Sequence, residues 1–207
     1  MVIKIGKCKK IPIFFKKVIA NSVKTLYNTN EIFVMKKNIA IVCLDRTLSR
    51  TTAQLVADQL EMRFFDMREM FEFDHKPNTF KDIVTQYGSK YYRQKEASLM
   101  KYASGFENVL LNLDSDCFYK KGLIKALGDS YLIIYLHLNA SLASKIADKE
   151  EYSCYKEKMM YALSRDQISK RIDNMKDGAD IIINASSMSG FKASSEVQRA
   201  INKYYGI

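Results

Sequence analysis

A single α/β domain built on a parallel sheet is what the sequence predicts, and three observations predict it. From residue 38 onward, short apolar runs take turns with stretches of helical periodicity. Within those runs apolar residues follow one another instead of alternating with polar ones, so the strands are buried on both faces. The β and α elements come in turn rather than in blocks, the order produced by helices packed on both sides of a parallel sheet. The 207 residues are 47% apolar, enough for one core without metals or disulfides.

The elements follow in order. Residues 1–34 hold seven lysines and one acid, Glu31, and so carry +6 of the formal net charge of +10. Their apolar segment Ile11–Phe15 is short and contains Pro12, which argues against a signal peptide. The polar stretch Tyr27-Asn28-Thr29-Asn30 then gives way to Met35-Lys36-Lys37-Asn38, the natural opening of a cytosolic α/β domain. The expected division is a basic extension over 1–34 and a domain over 35–207. Deleting the extension is expected to leave thermal stability nearly unchanged. Ile39–Cys43 is the first strand, and Ala53, Leu55, Val56, Ala57 and Leu60 mark the first helix. Arg63–Phe65 forms a second strand ending at Asp66. Phe80–Tyr102 reads as two helical stretches broken near Gly88. Val109–Leu111 is a third strand, Leu123–Leu127 a helical turn and Tyr131–Leu138 a fourth strand. Residues 140–178 read as mostly helical and polar, Ala179–Ile183 as the last strand and Val197–Tyr205 as the last helix.

Composition excludes several classes. No apolar run approaches the roughly 20 residues of a membrane span. The four cysteines (8, 43, 117 and 154) form no CxxC pair, which points to buried thiols in a reducing, cytoplasmic setting. His75 and His137 are far apart and lack ligand spacing, so no metal site is expected on them. Nucleic acid is not the expected partner, because most of the excess charge sits in the extension rather than on a face of the domain. Membrane or nucleic-acid binding through that extension stays open. A monomer is expected. The aromatic residues and Met67, Met70, Met159 and Met160 read as packing.

Between the first strand and first helix a phosphate-binding loop would need glycines, a Lys and a Ser or Thr. Here the segment is Cys43-Leu-Asp-Arg-Thr-Leu-Ser-Arg-Thr-Thr52, with neither glycine nor lysine. Three downstream segments nevertheless resemble the shikimate kinase family. Phe64-Phe65-Asp66-Met67-Arg68 is similar to its F-x-D-x-D strand end. Phe80 to Glu96, with Gly88, Tyr92, Arg93 and Glu96, is similar to I-x-x-I-F-x-x-x-G-E-x-x-F-R-x-x-E. Arg171, Met175, Ala179 and Asp180 match R-x-x-x-Y-x-x-x-A-D. The pieces occur in the family's order and cover residues 38 to 205.

The resemblance implies a three-layer α/β/α fold, P-loop kinase-like. Its five parallel strands should run in the order 2-3-1-4-5, the first strand central. A gapless register places Cys43, Arg46 and Leu48 on the loop glycines, Ser49 on the phosphate-binding lysine, Arg50 on the serine and Thr51 on the threonine. A shift of one residue, with Arg50-Thr51 standing in for Lys-Thr, spoils the match of the helix behind it. The family's first strand-end acid, which positions Mg²⁺, is kept as Asp66. The second, which holds the substrate hydroxyl, has become Arg68, which cannot accept a hydrogen bond. The family's triple glycine falls on Leu113-Asp114-Ser115, and no arginine occurs between Arg93 and Arg165 to serve the lid. Arg93 and Arg171 match the two arginines that take the substrate carboxylate, a task suited to the guanidinium fork. They read equally well as surface arginines, and Asp66 as a helix cap.

Magnitudes favour a pseudokinase. Removing one preorganised charge-stabilising donor costs about 2.7–4 kcal/mol. Phosphoryl transfer rests almost wholly on positioning and electrostatics. The expectation is impaired ATP binding, with a cleft for a small anionic metabolite at Arg93, Arg171 and Arg68. An active divergent kinase acting on a shikimate-like hydroxy acid, with ATP and Mg²⁺ as cofactors and Arg46 and Arg50 replacing the lysine, is the alternative.

Overall fold

The computed structural model describes residues 38–118, 123–147 and 165–206. The extension over residues 1–34, Cys8, Cys154, Met159, Met160 and the rest of residues 148–164, within the stretch read as mostly helical and polar, lie outside the described residues.

Five parallel strands form one sheet in the order β2-β3-β1-β4-β5. They are β1 (Asn38–Val42), β2 (Arg63–Asp66), β3 (Val109–Leu113), β4 (Tyr131–His137) and β5 (Ile181–Asn184). The order and the central place of β1 are those the family resemblance implied. β1 and β3 are buried at every position, as continuous apolar runs require. The described helices are α1 (Arg46–Gln59), α2 (Met67–Phe73), α3 (Phe80–Ala103), α4 (Ala140–Ala147), α5 (Arg165–Gly178) and α6 (Gly190–Tyr205). One core holds the sheet to α1, α5 and α6 through Ala53, Val56, Ile168, Met175, Val197 and Ile201.

The expected break near Gly88 is real. Gly88 has φ +78° and ψ 173°, so α3 is two helices joined at an angle. The left-handed region costs an L side chain about 1–2 kcal/mol, which glycine avoids. The bend returns Tyr92 to Phe80 and Phe71, its ring edge-on to both at 5.0 and 5.1 Å. Tyr92, a member of this satellite cluster, directly precedes Arg93.

Elsewhere the local structure departs from the sequence expectations. Periodicity assigns no range to the short helix α2, although the reading of Asp66 as a helix cap allows one: its seven residues form because the Asp66 side chain caps them and Met67 and Phe71 are buried. The expected helical turn at Leu123–Leu127 is a 3-10 segment, Leu123–Ser130, with Gly128 at φ +64°. β5 begins two residues later than expected. Asp180 instead closes onto β4, its backbone N–H donating to Ile133 O and its carboxylate accepting from Ile133 N. The last helix begins at Gly190 rather than Val197, because Ser189 accepts from Lys192 N as its N-cap.

Candidate functional site

The first turn of α1 decides what the loop can hold. Backbone N–H groups at a helix N-terminus attract anions, and a glycine-rich loop adds more of them. Here helix begins immediately at Arg46, and Asp45 is its N-cap with extended backbone (φ −83°, ψ 101°). The Asp45 carboxylate accepts from Leu48 N at 3.1 Å. A negative group thus sits where an anion would bind, and it takes one of the free donors. Cys43, at the position of the first loop glycine, is buried. Burial pushes the Cys43 thiol up to about 12, which keeps it protonated and unreactive.

Ser49, at the position of the family lysine, is fully buried and donates to Arg46 O at 3.1 Å. Thr51 faces α6, close enough that a Cβ on Gly190 would meet its Cγ2 at 2.6 Å. Beside Asp45 lies a cavity of about 250 Å³ bounded by Leu48, Leu138, Leu142 and Met188, and Asp45 is the one charged residue in its lining. At the end of β4, His137 Nδ1 meets Tyr135 Oη at 3.2 Å. Burial, assisted by Lys176, holds His137 below its ordinary value and so favours the neutral ring.

Asp66 closes β2 at 2% exposure. Its Oδ1 accepts from Arg46 Nη2 at 2.9 Å, Arg68 N at 3.0 Å and Glu69 N at 3.1 Å. Its Oδ2 accepts from Asn112 Nδ2 at 2.7 Å and has Arg50 Nε at 3.9 Å. An ionised carboxylate offers about four acceptor sites. Asp66 accepts four hydrogen bonds, three of them on Oδ1, and has the Arg50 cation beside Oδ2. The cap reading of Asp66 is the one its geometry matches.

Arg50 meets Glu69 through Nε and Nη2 at 3.0 and 2.6 Å. Arg46 and Arg50 are therefore committed to α2 rather than to the mouth of the loop. Arg68 donates to Asp114 Oδ2 from Nε at 2.9 Å and from Nη2 at 2.5 Å, and its guanidinium carbon stands 4.3 Å from the centroid of the Phe80 ring. Arg68 is thus a compensated cation, not the extra positive charge expected at the cleft. The reason is Asp114, which the sequence register presented only as an intruding side chain. Arg93 and Arg171 are half-buried on α3 and α5. Next to Arg93 in the chain, Tyr92 donates its hydroxyl to buried Glu96 at 3.2 Å.

Two site residues escaped sequence reasoning. Asp45 was legible in principle, since an Asp before a helical pattern signals an N-cap. Asn112 was not, because its contact with Asp66 spans 46 positions. Among the described residues no group of three or more His, Cys, Asp or Glu could hold a metal ion, and no helix is long and apolar enough to cross a membrane.

Residues 50–202 match the family model described as shikimate kinase. The match starts after the segment 43–49, where the resemblance places the loop glycines and lysine. No curated protein sequence matches the chain. Among solved structures, it resembles shikimate kinase from Aquifex aeolicus, with 13% identity and a TM-score of 0.66, over 81% of this chain and 97% of that one. It also resembles shikimate kinase from Acinetobacter baumannii in complex with shikimate, with 15% identity and a TM-score of 0.67, over 83% and 94%. A third is shikimate kinase from Bacteroides thetaiotaomicron, at 18% identity and a TM-score of 0.63, over 83% and 99%. At these identities the likeness is one of fold.

Proposed function

This chain belongs to the shikimate kinase family, and within it we propose that the protein is a pseudokinase, a kinase fold that binds Mg²⁺-ATP weakly and transfers no phosphoryl group efficiently. The observation that carries this reading is the Asp45 carboxylate on the N-terminus of α1. It puts negative charge where the family loop receives a polyphosphate, and the loop backbone has no glycine with which to wrap one. The hydrogen bonds that Asp66 accepts from Arg46, Asn112 and the N-terminus of α2 support the same reading for Mg²⁺. Arg46 and Arg50, the candidates to replace the lysine in an active divergent kinase, point at Asp66 and Glu69 instead.

Calorimetric titration of the full chain with Mg²⁺-ATP, and separately with shikimate, tests the reading. ATP should bind no tighter than about millimolar, near −4 kcal/mol. Shikimate phosphorylation should stay at background. Micromolar ATP affinity or measurable transfer would replace the pseudokinase with an active enzyme. Arg93 and Arg171 remain the proposed holders of a small carboxylate, so Arg93→Ala should weaken any binding of shikimate without altering the melting temperature.

A further inference from the structure

The two substitutions that remove the family's substrate contacts meet each other. Arg68 stands where the resemblance places the acid that holds the substrate hydroxyl, and Asp114 stands within the segment that replaces the triple glycine. They are 46 positions apart in sequence, yet Arg68 donates twice to Asp114 Oδ2. The side chains are 13% and 5% exposed, and Phe80 covers the guanidinium face at 4.3 Å.

We propose that the Arg68–Asp114 pair is an internal occupant of the substrate side of the cleft: an autoinhibitory contact that fills the substrate's place and fastens α2 to the end of β3. This rests on the pseudokinase reading for its register but concerns the substrate side, which the Asp45 argument does not touch. The chemistry is that of two lone substitutions made tolerable together. A buried Arg without a counter-charge, or a buried Asp without one, would be costly to desolvate; paired, each satisfies the other. Phe80 adds the attraction of an aromatic face for a cation and excludes water from one side. Three further links hold the same corner. Arg46 and Asn112 bind Asp66, the cap of α2, and Arg50 binds Glu69 within it. The helix after β2 is therefore tied on both sides by charge.

The test combines a double-mutant cycle with a binding measurement on the full chain. Arg68→Ala and Asp114→Ala are made singly and together, and melting temperature and hydrogen exchange over residues 67–103 are recorded. Each single variant should melt at least about 6 °C lower, because breaking a buried pair leaves one charge alone. The double variant should melt no lower than the worse single one, showing that the two act as a unit. Exchange over α2 and α3 should rise in all three. The double variant should also bind shikimate at least about tenfold more tightly than the parent does. Additive single effects, or a parent that binds shikimate as tightly as the double variant, would overturn the proposal. If a single variant does not fold, the exchanged pair Arg68→Asp/Asp114→Arg decides. Recovery of the parent's melting temperature supports the contact, and a stability no better than the double alanine variant refutes it. Phosphoryl transfer is assayed separately, so an active parent would sink the pseudokinase reading while leaving the cycle to judge the pair.

Discussion

Asp45 and Asp66 put one residue type at two helix starts. Each carboxylate caps a helix, α1 and α2 respectively: Asp45 takes a donor that an anion site would use, and Asp66 spends lone pairs that a cation would use. At Asp45 cap and charge are separable. Asp45→Ala should cost about 1 kcal/mol and lower the melting temperature by about 2–4 °C, since an unoccupied N-cap leaves Leu48 N–H to water. Asp45→Asn should retain most of that stability, because Asn caps as well as Asp, while removing the negative charge. Phosphate binding that improves in both variants would identify the charge as the barrier. Improvement in neither would place the barrier in the glycine-free backbone. Thermal melts and phosphate titrations of the two variants make the comparison.

The elements differ in how directly the chain dictates them. The bend in α3 is dictated locally, because only Gly88 takes φ +78° without strain. The contact between α1 and α6 is decided by a small residue at a crossing. A Cβ on Gly190 would meet Thr51 Cγ2 at 2.6 Å and Thr51 Cβ at 3.0 Å. Thr51 is β-branched and sits within a helix, so it has little freedom to turn away. Gly190→Ala should therefore destabilise by about 1–3 kcal/mol, as overpacking does. Pairing it with Thr51→Ser, which removes the obstructing methyl, should recover most of the loss. A Gly190→Ala protein as stable as the parent would show that the helices separate freely. Denaturant melts of the two single variants and the double measure it.

Across the whole molecule, burial of titratable groups sets a pH window of stability. His137 is held below its ordinary value of 6.5 by burial, so its contribution is complete above that value and is lost as pH falls. The buried Cys43 thiol and the Tyr131 and Tyr135 hydroxyls are shifted upward by desolvation. Their contribution is complete below their ordinary values, 9.0 for the thiol, and is lost as pH rises through the raised ones. Melting temperature should therefore be flat between about 6.5 and 9 and fall on both sides. In Cys43→Ala the alkaline fall should start at higher pH, where the tyrosines take over. An alkaline limb unchanged by that substitution would mean the thiol is not what titrates. The parallel sheet explains why these groups are buried at all: the central strands β1 and β4 are covered on both faces.

The sequence by itself determined the β/α alternation, the strands β1 to β4 to within about two residues, the break at Gly88 and the absence of loop glycines and lysine. Each of these is written in neighbouring residues, as periodicity, as a conformational need or as a missing residue type. The family motifs around Asp66, Gly88–Glu96 and Arg171–Asp180 supplied the strand order, which periodicity does not contain. Tertiary structure alone decided what the surviving and altered residues do. Arg68 was legible as an inverted charge, but its neutralisation depends on Asp114, brought from 46 positions away by the pairing of β2 with β3. Asp66 was legible as the strand-end acid of the family motif, but its hydrogen bonds depend on Arg46 from α1 and Asn112 from β3. The extent of helix α2 escaped prediction for the same reason, since seven residues are too few to be stable without the cap and burial that the fold provides. Long-range pairing fixes which charges meet, and a charge's chemistry is set by the charge it meets.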